Sequence, residues 1–334
     1  MKNNTFEEIW ERLKKSKNIL MSLHPKPDGD SLGFCTALKY VLEKEGKKVT
    51  LISQDEISEN INNFYFSKEV AFKKSFDDYN LKDFDTLIFS DFASLKEYPE
   101  KVRKKEFPKD MVTINIDHHD SNEYFGELNY VDKNAPSCCS VLFDLFKKVN
   151  INFDEKICKR LLLGICTDTN FGEFGNSSES LEKMAFLIEK GKIDFQEEFV
   201  NPIRNNNPWK LKKLWGILLT NMKKEEIKGK VIAYSWATRK EYEKYGLEPA
   251  DIRLGILCMQ DIANLDLVFT LSEIDGKIKG SFRSKTLDTT IYSSLLGGGG
   301  HKGASAFILD GTDIKKELEK ILKIIKEKGF VKIK

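Results

Sequence analysis

The chain has 334 residues, 40% hydrophobic and 32% charged, with 54 basic against 52 acidic side chains and a net charge of +2. That is enough chain for two domains with separate cores, and the near balance of charge excludes a global pull toward duplex DNA or an anionic membrane surface. The start (Met1-Lys-Asn-Asn-Thr-Phe-Glu-Glu) is not a signal peptide, no apolar run approaches the ~20 residues that span a bilayer, and the six cysteines form no CxxC pair, so a cytoplasmic protein with reduced core thiols is expected.

In chain order, residues 5–17 read as a helix, with Thr5 as cap and Glu8 three residues on. A short apolar strand, 18–23, runs into His24-Pro-Lys-Pro-Asp-Gly-Asp30, where two prolines and a glycine forbid regular structure. Ser31 is expected to cap a helix ending at Glu45 and closed by Gly46. Residues 48–52 and 85–90 read as strands, the second ending at Asp91, while 63–78 carries no clear pattern. An apolar, β-branched strand, 111–116, stops abruptly at Asp117-His118-His119. Helices are expected over 137–149, 155–164 and 178–190. A longer one starts near Asn205–Pro208 and runs through Met222 as a connector.

From Lys230 the pattern changes. Strands are expected over 231–236, 265–272 and 277–283, with Asp275-Gly276 as the hairpin turn between the last two. Helices are expected over 238–261, over 288–296 before Gly297–Gly300, and over 313–328. Alternating strands and helices imply right-handed crossovers. The expected fold is α/β: an N-terminal mostly parallel sheet with flanking helices, a smaller C-terminal α/β domain with a mixed sheet, and a cleft between them. The expected bounds are 1–200 for the first domain, 201–229 for a connecting helix and 230–334 for the second domain.

The chain has only four histidines, and two of them are His118 and His119. Polar residues end the strands of the first domain: His24, Asp28 and Asp30, then Asp91, then Asp117, His118 and His119. Asp168 ends an apolar helix in Gly164-Ile-Cys-Thr-Asp-Thr-Asn170. An oxygen-rich set with a few imidazoles suits a hard or borderline divalent metal such as Mn²⁺. Four aspartates and two histidines over-supply one ion, so two ions sharing a bridging carboxylate fit better. Taken singly, Asp28-Gly29-Asp30 reads equally as a turn, Asp91 as a helix cap and Asp168 as a cap or turn. The conjunction of four clusters in one domain carries the reading.

In the second domain Gly297–Gly300 would let backbone N–H groups approach a phosphate, a helix starting near His301 would point its positive end there, and Arg283 offers a planar fork for the same anion. A flexible linker is the alternative for the glycines. Gly298-x-Gly300-x-x-Gly303 formally matches a dinucleotide fingerprint, but a helix rather than a strand is expected before it.

Asp117-His118-His119 is the signature of the DHH phosphoesterases, which the chain resembles. His24-x-x-x-Asp28-x-Asp30 is similar to that family's first motif, Asp91 to its second and Asp168 to its fourth. Gly280-Ser-Phe-Arg-Ser284 followed by Gly297-Gly-Gly-Gly-His301 resembles the DHH-associated domain. By size and lack of further domains the chain is similar to the nanoRNase/pAp-phosphatase branch. The resemblance implies two Mn²⁺ ions per subunit, with Mg²⁺ or Co²⁺ as substitutes. It assigns His24, Asp28 and Asp91 to the first ion, and Asp30, Asp91, His118 and Asp168 to the second, with Asp91 bridging. It makes Asp91, His119 and Asp117 catalytic, Asp117 orienting His118 and His119 facing the substrate. Arg283, Ser284, Gly298, Gly299, Gly300 and His301 would bind substrate.

The implied activity is hydrolysis of short oligonucleotides, and of 3′-phosphoadenosine 5′-phosphate (pAp) to AMP, by two-metal-activated water. Rivals are linear or cyclic dinucleotides, inorganic pyrophosphate or polyphosphate, and non-catalytic single-strand binding. Neither a membrane nor long duplex DNA is an expected partner, and a homodimer is a family expectation. Two positions depart from the family pattern: Asn170 where glycine is expected, and Gly303 where the branch has asparagine.

Overall fold

A computed structural model describes residues 3–57, 59–98, 107–173, 177–205, 209–247, 255–260 and 262–333. The chain divides into two compact units, Met1–Asn206 and Asn207–Lys334.

In the first unit six parallel strands form one sheet: β1 (Asn18–Ser22), β2 (Lys48–Ser53), β3 (Ala71–Phe72), β4 (Thr86–Ser90), β5 (Val112–Asp117) and β6 (Leu128–Val131), in the order β3-β2-β1-β4-β5-β6. Ile19, Leu20, Met21, Leu87, Ile88, Ile114 and Ile116 are fully buried. Both faces of these central strands are covered, so their sequences run continuously apolar instead of alternating. Each such side chain contributes roughly 2 kcal/mol of burial. The strand order reverses between β1 and β4, and open α/β sheets bind ligands beyond the carboxyl ends of the strands at that reversal.

Helix α1 (Phe6–Lys15) has the expected capping box of Thr5 and Glu8. Helix α2 (Gly29–Lys44) starts earlier than its sequence suggests. Its cap is Asp28, not Ser31: Asp28 Oδ1 accepts the N–H groups of Asp30 (3.0 Å) and Ser31 (3.1 Å). The side chain of Asp28 reaches those donors first, and the early start brings Asp30 into the first turn. Helix α3 (Cys138–Lys148) is capped by Ser137 and helix α4 (Glu155–Asp168) by Asp154. Helix α4 runs a turn beyond residue 164, because nothing breaks it until the left-handed Asn170 and Phe171. Helix α5 (Ser177–Gly191) follows. Residues 63–78 hold short 3₁₀ turns and β3, with Phe66 and Phe76 filling the core. Strand β6 is too short to stand out in the sequence.

Helices α2 and α4 cross closely because both carry glycine at the crossing. A Cβ on Gly33 would lie 2.4 Å from the Arg160 carbonyl oxygen, and one on Gly164 would lie 2.4 Å from Asp30 Oδ1. This crossing holds the start of α2 beside the end of α4.

In the second unit helix α6 (Trp209–Asn221) buries Leu211, Leu214 and Leu218 against Ala237, Tyr242 and Leu247. The sheet has the order β11-β12-β10-β9-β8-β7, with β7 (Lys223–Ile227), β8 (Lys230–Ala237), β9 (Leu267–Ile274), β10 (Lys277–Arg283), β11 (Gly299–His301) and β12 (Ala304–Asp310). It is mixed: β8 and β9 run parallel and the other pairs antiparallel. Helix α7 (Ile314–Lys328) lays Ile314, Leu318, Ile321 and Ile325 on this sheet's core.

Four local expectations fail here. Strand β7 is charged (Lys-Lys-Glu-Glu-Ile), as edge strands often are, and so escaped notice. Among the described residues the helix expected over 238–261 is broken into Arg239–Glu243 and Leu257–Gln260, with the left-handed Gly246 ending the first part; residues 248–254 and 261 lie outside the described chain. The helix over 288–296 is one turn, Thr290–Ser293, then a 3₁₀ turn, Ser294–Leu296, stopped by Gly297 at φ 74°. No helix starts near His301: Gly299–His301 and Ala304–Asp310 pair as an antiparallel hairpin, and Ser305 and Phe307 alternate inward as strand residues do. A helix dipole therefore plays no part there. Among the described residues no helix is long and apolar enough to cross a membrane.

Candidate metal centre

Three adjacent strands, β1, β4 and β5, end at one place, and the tails of their sequences supply the donors. Asp91 follows β4 directly in a left-handed conformation (φ 57°) and is buried. A left-handed non-glycine residue carries a conformational cost that surrounding structure must hold in place, and such residues cluster at functional sites. Its two carboxylate oxygens face different partners. Oδ2 lies 3.2 Å from His24 Nε2, and Oδ1 lies 3.5 Å from His118 Nε2. His24 Nε2 is also 3.5 Å from Asp28 Oδ1, and His118 Nε2 is 3.4 Å from Asp168 Oδ2. The other nitrogen of each ring is tied to a backbone carbonyl: His24 Nδ1 to Pro25 (2.7 Å) and His118 Nδ1 to Ala135 (3.3 Å). Those bonds aim both Nε2 atoms at the carboxylates, the usual arrangement for ligating histidines.

Asp30 reaches the same place from the first turn of α2. It is held by the start of α3: Oδ1 accepts the Cys139 N–H (2.8 Å) and Oδ2 the Cys138 N–H (2.5 Å). Donor atoms of Asp30, Asp91, His118 and Cys138 lie within 4.8 Å of one another, as do those of His24, Asp28 and Asp91, and those of Asp91, Asp117 and His119. Asp91 belongs to all three groups.

Asp117 departs from its expected task. Its Oδ1 pairs with His119 Nδ1 (2.8 Å), not with His118. A strand end turns successive side chains in opposite directions, and His118, one residue on, points to Asp91 instead. Asn122 Nδ2 donates to the other Asp117 oxygen and to Asn115 Oδ1 (2.8 Å), so the His119 support is braced from behind. Asn115 and Asn122 were missed, although a lone asparagine among the isoleucines of β5 was a readable signal. Gly164 and Cys138 were missed because an apolar helix offers small residues and thiols for packing alone.

The electrostatics follow from this crowding. Burial opposes a charge on His24, but Asp28 and Asp91 overcome it and hold its pKa up at about 11. Burial likewise opposes a charge on His118, and Asp91 and Asp30 hold it at about 9. Burial and then the charge of Asp91 push Asp30 up to about 7. Burial, with Asp30 and Asp91 beside it, drives Asp168 well above the usual carboxylate range. Burial also opposes ionisation of Asp91, yet His118 and His24 keep it well below that range. Asp117 raises the pKa of His119. Buried carboxylates that repel one another this strongly, with two imidazole nitrogens aimed among them, suit a divalent metal ion.

A ligating imidazole must be neutral. Because His24 and His118 titrate above neutral pH without metal, an ion displaces their protons. Metal binding near pH 7.5 is therefore expected to release protons and to tighten as pH rises toward about 9. Calorimetry in buffers of different ionisation heat measures the release, and zero or negative release refutes it.

In the second unit the expected recognition residues gather at one end of the sheet. Arg283 ends β10 opposite Ala304, and Ser284 N–H bonds the Gly303 carbonyl (3.0 Å). The Arg283 guanidinium donates to the Phe282 carbonyl (2.8 Å), and burial lowers its pKa. Ser284 is spent inside the fold: its hydroxyl donates to Asp266 O (2.6 Å) and accepts from Leu287 N (2.8 Å) and Thr286 N (3.2 Å). A hydroxyl has one proton and two lone pairs, so none is left for a ligand. Gly298 and Gly300 are required by packing, since a Cβ would lie 2.1 Å from Ala306 O and 2.6 Å from Ala304 O respectively. A Cβ on Gly299 would meet nothing within 4 Å. His301 ends β11, and its side chain lies outside the described part.

A parallel sheet with acidic and histidine donors at its reversal point defines a class of metal-binding α/β protein. Residues 18–165 match the DHH family, N-terminal domain. It is 25% identical over 334 aligned residues, covering 95% of this chain and 94% of the relative, to the "Bifunctional oligoribonuclease and PAP phosphatase NrnA" of Thermus thermophilus. It is 24% identical to the "Probable bifunctional oligoribonuclease and PAP phosphatase NrnA" of Streptococcus mutans, covering 95% of this chain and 99% of the relative. The fold matches the crystal structure of an exopolyphosphatase-related protein from Bacteroides fragilis with a TM-score of 0.83, 23% identity and 96% of each chain covered.

Proposed function

We propose that the protein is a metal-dependent phosphoesterase that hydrolyses short oligonucleotides and pAp, the substrates in the names of its relatives. The observation that carries this reading is one buried carboxylate, Asp91, serving two sets of donors at once. His24 and Asp28 would share it for one ion. Asp30, His118 and Asp168 would share it for a second. Carboxylates with two imidazoles favour manganese, with Mg²⁺ or Co²⁺ as substitutes. When bound, a pair of divalent ions supplies the Lewis acidity that lowers the pKa of a water and neutralises phosphoryl charge.

The remaining steps belong to the chain. Asp117 accepts the His119 Nδ1–H and stabilises the imidazolium, which raises the His119 pKa above its ordinary value and favours a proton on Nε2. His119 is half-exposed, and it passes that proton to the departing ribose oxygen as general acid. Arg283, with no carboxylate partner among the described residues, takes a phosphate through its free guanidinium edge. Gly299 leaves the backbone of β11 open to the same anion. Ser284 drops out of the recognition set. The free cysteines suit a reducing compartment, the cytoplasm.

A time course on labelled di- to pentanucleotides and pAp, with Mn²⁺ and with chelator, tests the reading. Metal-dependent release of mononucleotides and of AMP is expected. Turnover confined to pyrophosphate, polyphosphate or a cyclic dinucleotide assigns the site to another substrate, and binding without hydrolysis ends the enzymatic reading.

A further inference from the structure

Cys138 occupies the first position of α3, and its N–H bond to Asp30 fixes it beside the centre. The side chain is fully buried and aimed into the donors. Its Sγ lies 3.9 Å from Asp91 Oδ1, 3.8 Å from Asp117 Oδ1 and 3.7 Å from the Ile116 carbonyl oxygen. A thiol has one proton, so it serves one of these oxygens and turns lone pairs toward the other two. Ligands at about 2.0–2.3 Å from a five-coordinate ion stand roughly 2.8–4.0 Å apart. The Asp91–His118 spacing of 3.5 Å and the Asp91–Cys138 spacing of 3.9 Å are close to that pattern. Neighbouring thiols differ: Cys139 Sγ faces the Asp30 backbone carbonyl (3.5 Å), and Cys35 Sγ pairs with Ser90 (3.1 Å).

We infer that Cys138 is a sulfur donor at the second metal position and sets which ion the centre holds. A thiolate there favours borderline ions such as Co²⁺ and Zn²⁺ over Mn²⁺ and Mg²⁺. The S–H bond breaks as the ion arrives, the sulfur pair forms the metal bond, and the proton leaves to solvent. The inference rests on the metal centre proposed above.

Anaerobic Co²⁺ titration of the full chain separates the two claims. Visible ligand-field bands report Co²⁺ bound by any donors, and a near-ultraviolet charge-transfer band reports sulfur. Both are expected in the wild type and in Cys139→Ser. In Cys138→Ser the visible bands should remain, the near-ultraviolet band should vanish, and the preference for Co²⁺ over Mn²⁺ should fall about tenfold or more. Visible bands without a sulfur band in the wild type remove Cys138 and leave the metal centre standing. No bands at all, on protein with intact circular dichroism, remove both. Should Cys138→Ser not fold, X-ray absorption at the cobalt edge of the wild type decides: a sulfur shell near ~2.3 Å supports the inference, and an all-light-atom shell overturns it.

Discussion

Asp91→Asn should leave a folded protein whose hydrolysis of short oligonucleotides and pAp falls by about a thousandfold or more. Among the described residues Asp91 is the one carboxylate within reach of both His24 and His118, and it belongs to every donor group in the centre. Removing its charge weakens both ion positions together, and a loss of ~4 kcal/mol of transition-state stabilisation corresponds to that factor. Asparagine is the right replacement. Residue 91 is left-handed, and asparagine tolerates that conformation nearly as well as aspartate, whereas alanine adds about 1 kcal/mol of backbone cost. The amide also fills the same buried space. Steady-state rates, metal content and a melting curve measured on one preparation separate the effects. Near-normal turnover with full metal content would remove Asp91 from the chemistry, whatever the fold does.

The second large effect is expected at a residue that supplies no donor atom. In Gly164→Ala the new methyl group would stand 2.3 Å from Cys139 Sγ and 2.4 Å from Asp30 Oδ1, distances that nonbonded atoms do not tolerate. Helix α4 must back away from α2, or Asp30 must swing out. Overpacking of this kind costs roughly 2 kcal/mol, a fall in melting temperature of roughly 4–8 °C for a unit of this size. Either response moves Asp30, Asp168 or both, so on the proposed two-ion reading bound metal should drop to one ion per chain, with His24, Asp28 and Asp91 keeping the first. Metal analysis beside the melting curve checks this. Two ions retained at wild-type affinity in a destabilised variant would show that the helix crossing supports the fold without setting the centre.

Much of the first unit was legible because its signals are local. Buried parallel strands read as unbroken apolar runs, and each stops where a charged or imidazole side chain begins, as at Ser90-Asp91 and Ile116-Asp117. The second unit was harder. Strand β11 consists of two glycines and a histidine, and β7 is almost wholly charged. Neither carries the alternation that marks a strand, because each lies at an edge of the sheet. The helix expected near His301 failed for a different reason: the run after the glycines is an interior strand, and its burial alternates only once it is paired with β10 and β11. The start of α2 was misplaced because Asp28 and Ser31 both favour a cap, and only the folded loop shows which side chain reaches the N–H groups first.

The kind of sheet, the strands that end in donors and the chemistry of those donors were readable from residue type and spacing within a few positions. Tertiary structure alone decided the pairings. It joined Asp117 to His119, set Cys138 among the carboxylates, filled Ser284 with internal bonds and made Gly164 a spacer for Asp30. Those relations depend on sheet order and on how closely two helices cross, and no stretch of chain read on its own carries the distance between side chains that folding brings together.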